Sequence, residues 1–170
     1  MRRLILFRHA KAEARGPGMD DFDRPLAERG REDAALIGRV LAAEGLVPDY
    51  ALVSPARRAS ETWVFARDAF PPIRAQLCRE LYNASAAEIR AEIKAVEERV
   101  GTLIVVGHNP GLHQAAVDLL VEGGASAAEV GRVAVRFPTA TAACLAIDPV
   151  GRASLDGFFL AKEHGGEGEG

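Results

Sequence analysis

The first 120 residues of this 170-residue chain alternate between short apolar runs and segments with helical spacing, and this alternation constrains the fold more than any other feature. The apolar runs predict strands at 4–7, 50–53, 73–77 and 102–106. The intervening and following segments predict helices at 28–44, 55–70, 86–100 and 110–122. Alternation of this kind builds βαβ units around a mostly parallel sheet.

The last third of the chain follows a different pattern. Residues 123–139 show no clear periodicity, whereas 141–147 and 153–160 predict a hairpin that adds antiparallel strands to the sheet. We therefore expect an α/β fold, a three-layer sandwich with helices on both faces of the sheet. Residues 1–164 are expected to form one domain, followed by a disordered tail of glycine and glutamate at 165–170.

Composition excludes several classes of protein. With 21 basic and 24 acidic residues the formal net charge is −3, which leaves no positive excess for holding nucleic acid non-specifically. No run approaches the ~20 apolar residues of a membrane-spanning helix. The two cysteines are too few for a disulfide framework, and neither has the spacing of a metal ligand. These features predict a cytoplasmic protein with no nucleic-acid or membrane partner.

Three sites carry the signature of a helix start. Ser54-Pro55 and Asn109-Pro110 each place a capping residue before a proline at the first helical position. Ser85, with Glu88 three residues later, forms a capping box. The two proline sites directly follow predicted strands. We therefore expect two helix N-termini, with their free N–H groups, at the carboxyl edge of the sheet.

The residues that follow the predicted strands are rich in groups that bind or attack phosphoryl groups. In an open α/β sheet the ligand crevice lies at the carboxyl ends of the strands. At these positions the sequence places Arg8, His9, Arg58, Glu80, His108 and Asn109. Arginine forks bind phosphoryl oxygens, and an imidazole can attack phosphorus. This set therefore predicts a phosphoryl-transfer site at the edge of the sheet.

Three motifs, in this order along the chain, resemble those of the histidine phosphatase superfamily. They are Arg8-His9-Ala10, Ser54-Pro-x-x-Arg58-Ala59-x-x-Thr62 and Gly107-His108-Asn109-Pro110. The short length and the Arg-His-Ala-Lys form are most similar to the SixA-type phosphohistidine phosphatases. The resemblance implies that His9 is the nucleophile and that Arg8 and Arg58 bind the phosphoryl oxygens. It also implies that His108 donates a hydrogen bond to the phosphoryl group.

The chain departs from the pattern of larger family members in two respects. Ala10 and Ala12 stand where many members carry glycine and threonine. Only 49 residues separate Arg58 from His108, and the predicted helix, strand and second helix use them up. We therefore expect no lid over the phosphate pocket, and the segment that often frames the general acid in larger members is missing.

Further residues are candidates for substrate contact. Arg24, Glu80 and Asn109 are the additional predicted substrate-binding residues, and Glu80 is the best candidate proton donor, although a surface glutamate is an equal alternative. Arg24 either touches substrate or braces the loop at 10–25. Helical spacing places Arg57 over Glu61 on an exposed face, which assigns its neighbour Arg58 to the pocket.

The sequence therefore predicts a metal-independent phosphatase that works through a phosphohistidine on the enzyme and needs no cofactor. The favoured substrate is a phosphohistidine on a partner protein. The alternatives are a general phosphatase acting on small phosphate esters, such as sugar phosphates or nucleotides, and a binding module that retains the pocket without turnover. Retention of both pocket histidines, His9 and His108, argues against the binding module.

Overall fold

A single mixed sheet of six strands forms the centre of the computed structural model, which describes residues 1–168. The strands are β1 (Arg3–Arg8), β2 (Tyr50–Val53), β3 (Arg74–Leu77), β4 (Thr102–Gly107), β5 (Thr141–Ile147) and β6 (Ala153–Leu160). Their order in the sheet is β3-β2-β4-β1-β5-β6. The pairs among β1 to β4 are parallel, while β5 runs antiparallel to β1 and β6 antiparallel to β5. The predicted mixed α/β sheet is confirmed.

Helices cover both faces of this sheet. They are α1 (Glu28–Ala43), α2 (Arg57–Ala66), α3 (Ala86–Val96), α4 (Gly111–Glu122) and α5 (Ala127–Ala134). Short 3-10 turns lie at Asp21–Asp23, Arg67–Ala69, Arg79–Leu81, Glu97–Arg99 and Ala161–His164. The apolar residues of α1 and α2 share one core cluster, and those of α3, α4 and α5 share the other. This arrangement is the expected three-layer sandwich.

The central strand β1 explains why the chain has two apolar cores. Its side chains alternate between the faces of the sheet, as in any strand. Leu4 and Leu6 pack with α3 and α4, whereas Ile5 and Phe7 pack with α1 and α2, and all four are buried. A strand that buries both faces has to be apolar at every position, which is why this segment is a continuous apolar run.

Two of the three predicted helix starts are wrong in detail. Helix α2 begins at Arg57, after Ala56, and Ser54 does not cap it. Helix α4 begins at Gly111, after Pro110, and receives no side-chain cap. The Ser54 hydroxyl lies 2.8 Å from a ring nitrogen of His108 instead, and the Asn109 amide donates to a distant carbonyl at 2.8 Å. Both side chains have tertiary partners that replace the local capping bond. The capping box of Ser85 and Glu88 is confirmed.

The region without clear periodicity, 123–139, contains helix α5. Its start is a capping box in which the Ser126 side chain accepts from the Glu129 backbone, and the Glu129 carboxylate accepts from the Ser126 backbone. This is the same Ser-x-x-Glu signature that marks the start of α3. The helix is only eight residues long and has a single fully buried side chain, Val133, so it offers little more than two turns in which apolar spacing could be recognised.

The C-terminal segment differs from the disorder predicted for 165–170. The Asp33 carboxylate of α1 is buried and accepts hydrogen bonds from the backbone N–H groups of Glu167 and Gly168, at 3.1 and 2.8 Å. A glycine-rich segment of irregular backbone offers such donors to an acceptor that is distant in the sequence, a contact that composition alone does not reveal. Residues 169 and 170 lie outside the described residues.

None of the helices within residues 1–168 combines the length and the apolar character needed to cross a membrane.

Candidate active site

Two histidines face each other at the carboxyl edge of the sheet because two neighbouring strands end there in register. Arg8 of β1 pairs with Gly107 of β4, so the next residue of each strand extends beyond the edge at the same level. The His9 N–H donates to the Gly107 carbonyl at 3.0 Å. The ring centroids of His9 and His108 lie 5.2 Å apart, at 55°. The predicted convergence of these two side chains is therefore present.

The His9 ring is held in one tautomer. Its Nδ1 lies 2.8 Å from the Ala10 carbonyl oxygen, which can only accept, so Nδ1 carries the hydrogen. In the neutral ring the lone pair then lies on Nε2. Burial lowers the pKa of His9 well below its ordinary value, and the nearby charges of His108, Arg58 and Arg8 lower it further, against the raising effect of the Ala10 bond. The ring is therefore neutral at pH 7, with Nε2 available as a nucleophile.

The His108 ring is arranged as a hydrogen-bond donor. The Ser54 hydroxyl accepts from the Ala56 N–H at 3.3 Å and lies 2.8 Å from His108 Nε2, and we assign the hydroxyl hydrogen to this Nε2. The neutral ring then carries its hydrogen on Nδ1, a buried atom with no partner among the described residues. Burial first, and then the positive charge of Arg58, lower the pKa of His108 to about 4. An unpaired buried donor of this kind is suited to an incoming oxyanion.

Two arginines bring positive charge to the histidines. Arg8 leaves the end of β1, and one of its terminal nitrogens donates to the Phe137 carbonyl at 3.0 Å, while its Nε is buried without a partner among residues 1–168. Arg58 lies in the first turn of α2 with a side chain that is only 8% exposed. Arg57 is 58% exposed and pairs with Glu61. As the helical spacing predicts, Arg57 lies on the exposed face of α2 and Arg58 on its buried face.

The sequence analysis missed Asp21, the carboxylate that holds Arg58. The two terminal nitrogens of Arg58 donate to the Asp21 carbonyl at 2.8 Å and to its Oδ2 at 3.0 Å. The Tyr82 hydroxyl donates to the same Oδ2 at 2.8 Å, and Arg24 donates to Oδ1 at 3.1 Å. Several acidic residues stand in this loop, and nothing in their spacing singles out Asp21. The one available signal was an acidic loop close to a cationic pocket.

Asp21 stays ionised despite its partial burial. Burial acts to raise its pKa, but hydrogen bonds from Tyr82 and Arg24 and the charge of Arg58 outweigh that effect and hold the pKa at about 2. The phenol of Tyr82, which is partly desolvated and faces this carboxylate, has its pKa raised. The ring of Tyr82 also contacts the ring of His108 with centroids 5.7 Å apart. Asp21 and Tyr82 thus form one wall beside the histidines.

The three further substrate-binding candidates have mainly structural contacts. Arg24 donates to the Glu13 carbonyl at 2.9 Å and to Asp21, so it braces the loop, which is one of the two alternatives considered. Asn109 donates to the same Phe137 carbonyl that holds Arg8. Glu80 is exposed, and its carboxylate accepts from the Cys78 thiol at 3.4 Å. Among the described hydrogen bonds, none joins Glu80 to either pocket histidine.

Cys78, Glu80 and Glu92 form the group of side chains that comes closest to a metal-ligand set. One ligand atom from each lies within 4.8 Å of the others. Burial first, and then the two carboxylates, raise the pKa of the Cys78 thiol to about 12. The thiol is therefore protonated and donates to both carboxylates, at 3.4 and 3.3 Å. These contacts give the group an internal hydrogen-bonding role.

Two open cavities lie near the histidines. One of about 520 Å³ has His108 in its lining, together with mostly neutral groups such as Ala84, Asn109 and Gln114 and the carboxylate of Glu88. The other, of about 550 Å³, is lined by Arg15, Asp20, Asp21, Phe22, Arg79 and Tyr82. Tyr82 stands between the two, because its ring contacts His108 and its hydroxyl binds Asp21. The first cavity therefore reaches a pocket histidine directly, and the second adjoins it through Tyr82.

Comparison with known proteins gives a consistent result. Residues 4–101 match the profile of the histidine phosphatase superfamily, branch 1. An uncharacterized protein of Mycobacterium tuberculosis is 36% identical over 162 residues, which cover 91% of this chain and 99% of the relative. A crystal structure from Agrobacterium tumefaciens, assigned as the phosphohistidine phosphatase SixA, is 31% identical with a TM-score of 0.82, and the match covers 93% of this chain and 97% of that one. A structure from Nakamurella multipartitia with the same assignment is 28% identical with a TM-score of 0.81, over 93% and 95% of the two chains.

Proposed function

The chain belongs to the histidine phosphatase superfamily, and from that premise we propose that it is a phosphatase in which His9 is the nucleophile and a protein phosphohistidine is the substrate. One observation carries the proposal. The centroid of the neutral His9 ring, which has its lone pair on Nε2, lies 5.2 Å from that of the His108 ring, whose buried Nδ1 has no partner among residues 1–168. The charges of Arg58, whose side chain is 8% exposed, and of Arg8 act on His9. The nucleophile, the hydrogen-bond donor and the positive charge are therefore in one place.

The proposed reaction has two in-line steps. In the first step, Nε2 of His9 attacks phosphorus, a P–N bond forms and the bond to the leaving group breaks. In the second step, water attacks the phosphorus, the P–N bond breaks and neutral His9 returns. Arg8, Arg58 and the Nδ1–H of His108 hold the equatorial oxygens, and such preorganised donors are each worth on the order of 3 kcal/mol in the transition state.

The short connection between the two motifs supports a protein substrate. Between Arg58 and His108 the chain forms the rest of α2, then β3, α3 and β4 with short turns, and all of these belong to the sandwich. The pocket therefore opens between two surface cavities. A lid normally excludes water and grips small substrates, so a small phosphate ester gains little binding here beyond its phosphoryl group. A phosphohistidine presented by a folded protein can also contact the surrounding surface.

A trapping experiment tests the nucleophile. A P–N bond to imidazole survives base and is lost in acid, so a base quench during turnover of labelled substrate should leave label on the enzyme. His9→Ala should lose both the label and turnover, whereas the exposed His164→Gln, a matched control, should retain both. Turnover above ~1% of wild type in His9→Ala would remove His9 as the nucleophile, because loss of a nucleophile usually costs several orders of magnitude.

A substrate comparison tests the specificity. We expect kcat/KM on a phosphohistidine protein to exceed that on sugar phosphates and nucleotides by at least ~100-fold, a difference of about 2.7 kcal/mol. Efficient turnover of one small phosphomonoester, with phosphohistidine proteins left intact, would favour the general phosphatase instead. Binding of phosphate without turnover of any substrate would favour the binding module.

A further inference from the structure

Asp21 is the best-anchored carboxylate of the pocket, yet the proposed reaction does not use it. Its Oδ2 accepts from both Arg58 and Tyr82, and its Oδ1 accepts from Arg24. Its side chain is nevertheless 41% exposed. A carboxylate that is held on one side and open on the other is positioned to meet a further group.

The open side of Asp21 faces a cavity that adjoins the histidines through Tyr82. The cavity of about 550 Å³ is lined by Asp21 together with Tyr82, whose ring contacts His108. Asp21 also binds Arg58, a proposed ligand of the phosphoryl oxygens. A group that leaves phosphorus toward this cavity therefore departs beside a negative charge.

The negative charge of Asp21 acts differently on a phosphohistidine and on a phosphate ester. In a phosphohistidine the ring nitrogen that does not carry phosphorus can be protonated, so the ring is cationic. A nearby carboxylate favours the protonated ring. When His9 attacks, the electron pair of the breaking P–N bond returns to the ring, which departs as a neutral imidazole that keeps its proton. A phosphomonoester instead develops negative charge on its leaving oxygen, which an ionised carboxylate repels.

We infer that Asp21 is a specificity-determining residue whose carboxylate favours the cationic ring of a phosphohistidine substrate and disfavours a departing alkoxide. The inference rests on the proposed function and adds to it the group that discriminates between phosphoramidates and phosphate esters. Its low pKa agrees with this role, because a carboxylate that stays ionised at neutral pH has no proton to give to an alkoxide. Arg15 and Arg79 line the same cavity, and their positive charges favour a leaving group that develops negative charge. If they outweigh Asp21, the enzyme prefers phosphate esters.

The test compares two neighbouring aspartates. Asp21→Asn removes the charge and keeps the size, and Asp23→Asn makes the same change at an exposed position of the same 3-10 turn. For each variant, kcat/KM is measured on a phosphohistidine peptide, on p-nitrophenyl phosphate and on a nucleoside monophosphate. We expect Asp21→Asn to lower the ratio of phosphoramidate to ester turnover at least tenfold, and Asp23→Asn to leave the ratio unchanged.

The ratio separates specificity from a structural role. If Asp21 only positions Arg58, its loss lowers kcat/KM on all three substrates by the same factor, and this result would overturn the inference. A shift toward the phosphoramidate in Asp21→Asn, or an equal shift in Asp23→Asn, would also overturn it. Failure of the proposed function is a different result, because the wild-type enzyme would then hydrolyse the esters and leave the phosphohistidine peptide intact.

Discussion

Two imidazoles that are neutral in the folded protein, the buried His108 and the partly buried His9, lower its stability at acid pH. The pKa of His108 is lowered to about 4, and that of His9 is also well below its ordinary value, in both cases first because of burial. In the unfolded chain both rings take up a proton near pH 6.5. Below that pH the unfolded state therefore binds protons that the native state does not, and the free energy of unfolding falls as the pH is lowered.

His108→Gln should make the stability less sensitive to acid. Between pH 6.5 and the native pKa of about 4, the wild-type ring contributes up to about 3 kcal/mol of acid destabilisation, and the glutamine contributes none. Urea unfolding at a series of pH values measures the difference. His164→Gln, at an exposed position, should follow the wild-type curve. Parallel curves for His108→Gln and wild type would mean that the pKa of His108 is the same in the native and unfolded states.

Substitution of Arg58 should lower activity strongly, whereas substitution of its neighbour Arg57 should have little effect. Arg58→Ala removes a buried donor from the proposed phosphoryl site, and we expect kcat/KM to fall on the order of 100-fold. Arg57→Ala removes an exposed ion pair with Glu61, so we expect a change in the free energy of unfolding within about 0.5 kcal/mol and nearly unchanged activity. Steady-state kinetics and urea unfolding on both variants check this. Reversed phenotypes would contradict the assignment of Arg58 to the pocket.

The sequence analysis identified the pocket residues that follow strands, but it missed Asp21, which lies in a loop. His9 and His108 could be predicted to meet because strand ends in a parallel sheet share an edge. Asp21 could not, because the conformation of its loop is set by contacts with Arg58 and Tyr82, which come from distant parts of the chain. Local spacing carries no information about such contacts.

At the level of helices and strands, one kind of local signal had two outcomes. The Ser85 hydroxyl caps its helix, as its Ser-x-x-Glu spacing indicates. The Ser54 hydroxyl, with an equally good local signal, binds His108 and leaves its helix uncapped. Ser54 lies at the edge of the sheet next to a polar side chain from another strand, whereas Ser85 lies in an exposed turn. Capping signals near a functional site therefore compete with tertiary partners.

The packing of α1 against α2 gives a prediction about helix contact. A Cβ at Gly38 would lie 2.3 Å from the carbonyl oxygen of Ala66, so Gly38→Ala has to push the two helices apart. We expect a loss of about 2 kcal/mol or more in the free energy of unfolding. Gly131 of α5 has open space around its Cβ position, so Gly131→Ala should stabilise by about 0.5–1 kcal/mol through helix propensity. Thermal unfolding of the two variants tests both signs, and an unchanged Tm for Gly38→Ala would show that the contact yields easily.

At the scale of the whole molecule, the sheet and its two helical layers followed from the strand–helix alternation, whereas the C-terminal part did not. Sequential βαβ units have a strongly preferred handedness, so their layer arrangement can be derived from order alone. The short helix α5 and the contact of Glu167 and Gly168 with Asp33 depend on surfaces that exist only once the sandwich has formed. The segment after α5 nevertheless matters for the site, because its Phe137 carbonyl holds both Arg8 and Asn109.

The distribution of charge in the molecule leads to a prediction about metal ions and oxyanions. The chain has a net charge of −3, yet the pocket is locally positive: burial first, and then the charges of Arg58 and Arg8, lower the pKa of both histidines. Two guanidinium groups and a neutral imidazole donor provide the kind of charge stabilisation that Mg²⁺ provides in other phosphoryl-transfer sites. We therefore expect activity to be unchanged in excess chelator. Vanadate or phosphate should raise KM and leave kcat unaltered, because these anions compete for the arginine forks. An equal ionic strength of a salt without a tetrahedral anion serves as the control, and Arg58→Ala should weaken the inhibition. Chelator-sensitive activity that a divalent cation restores would contradict a mechanism in which the arginines supply the charge.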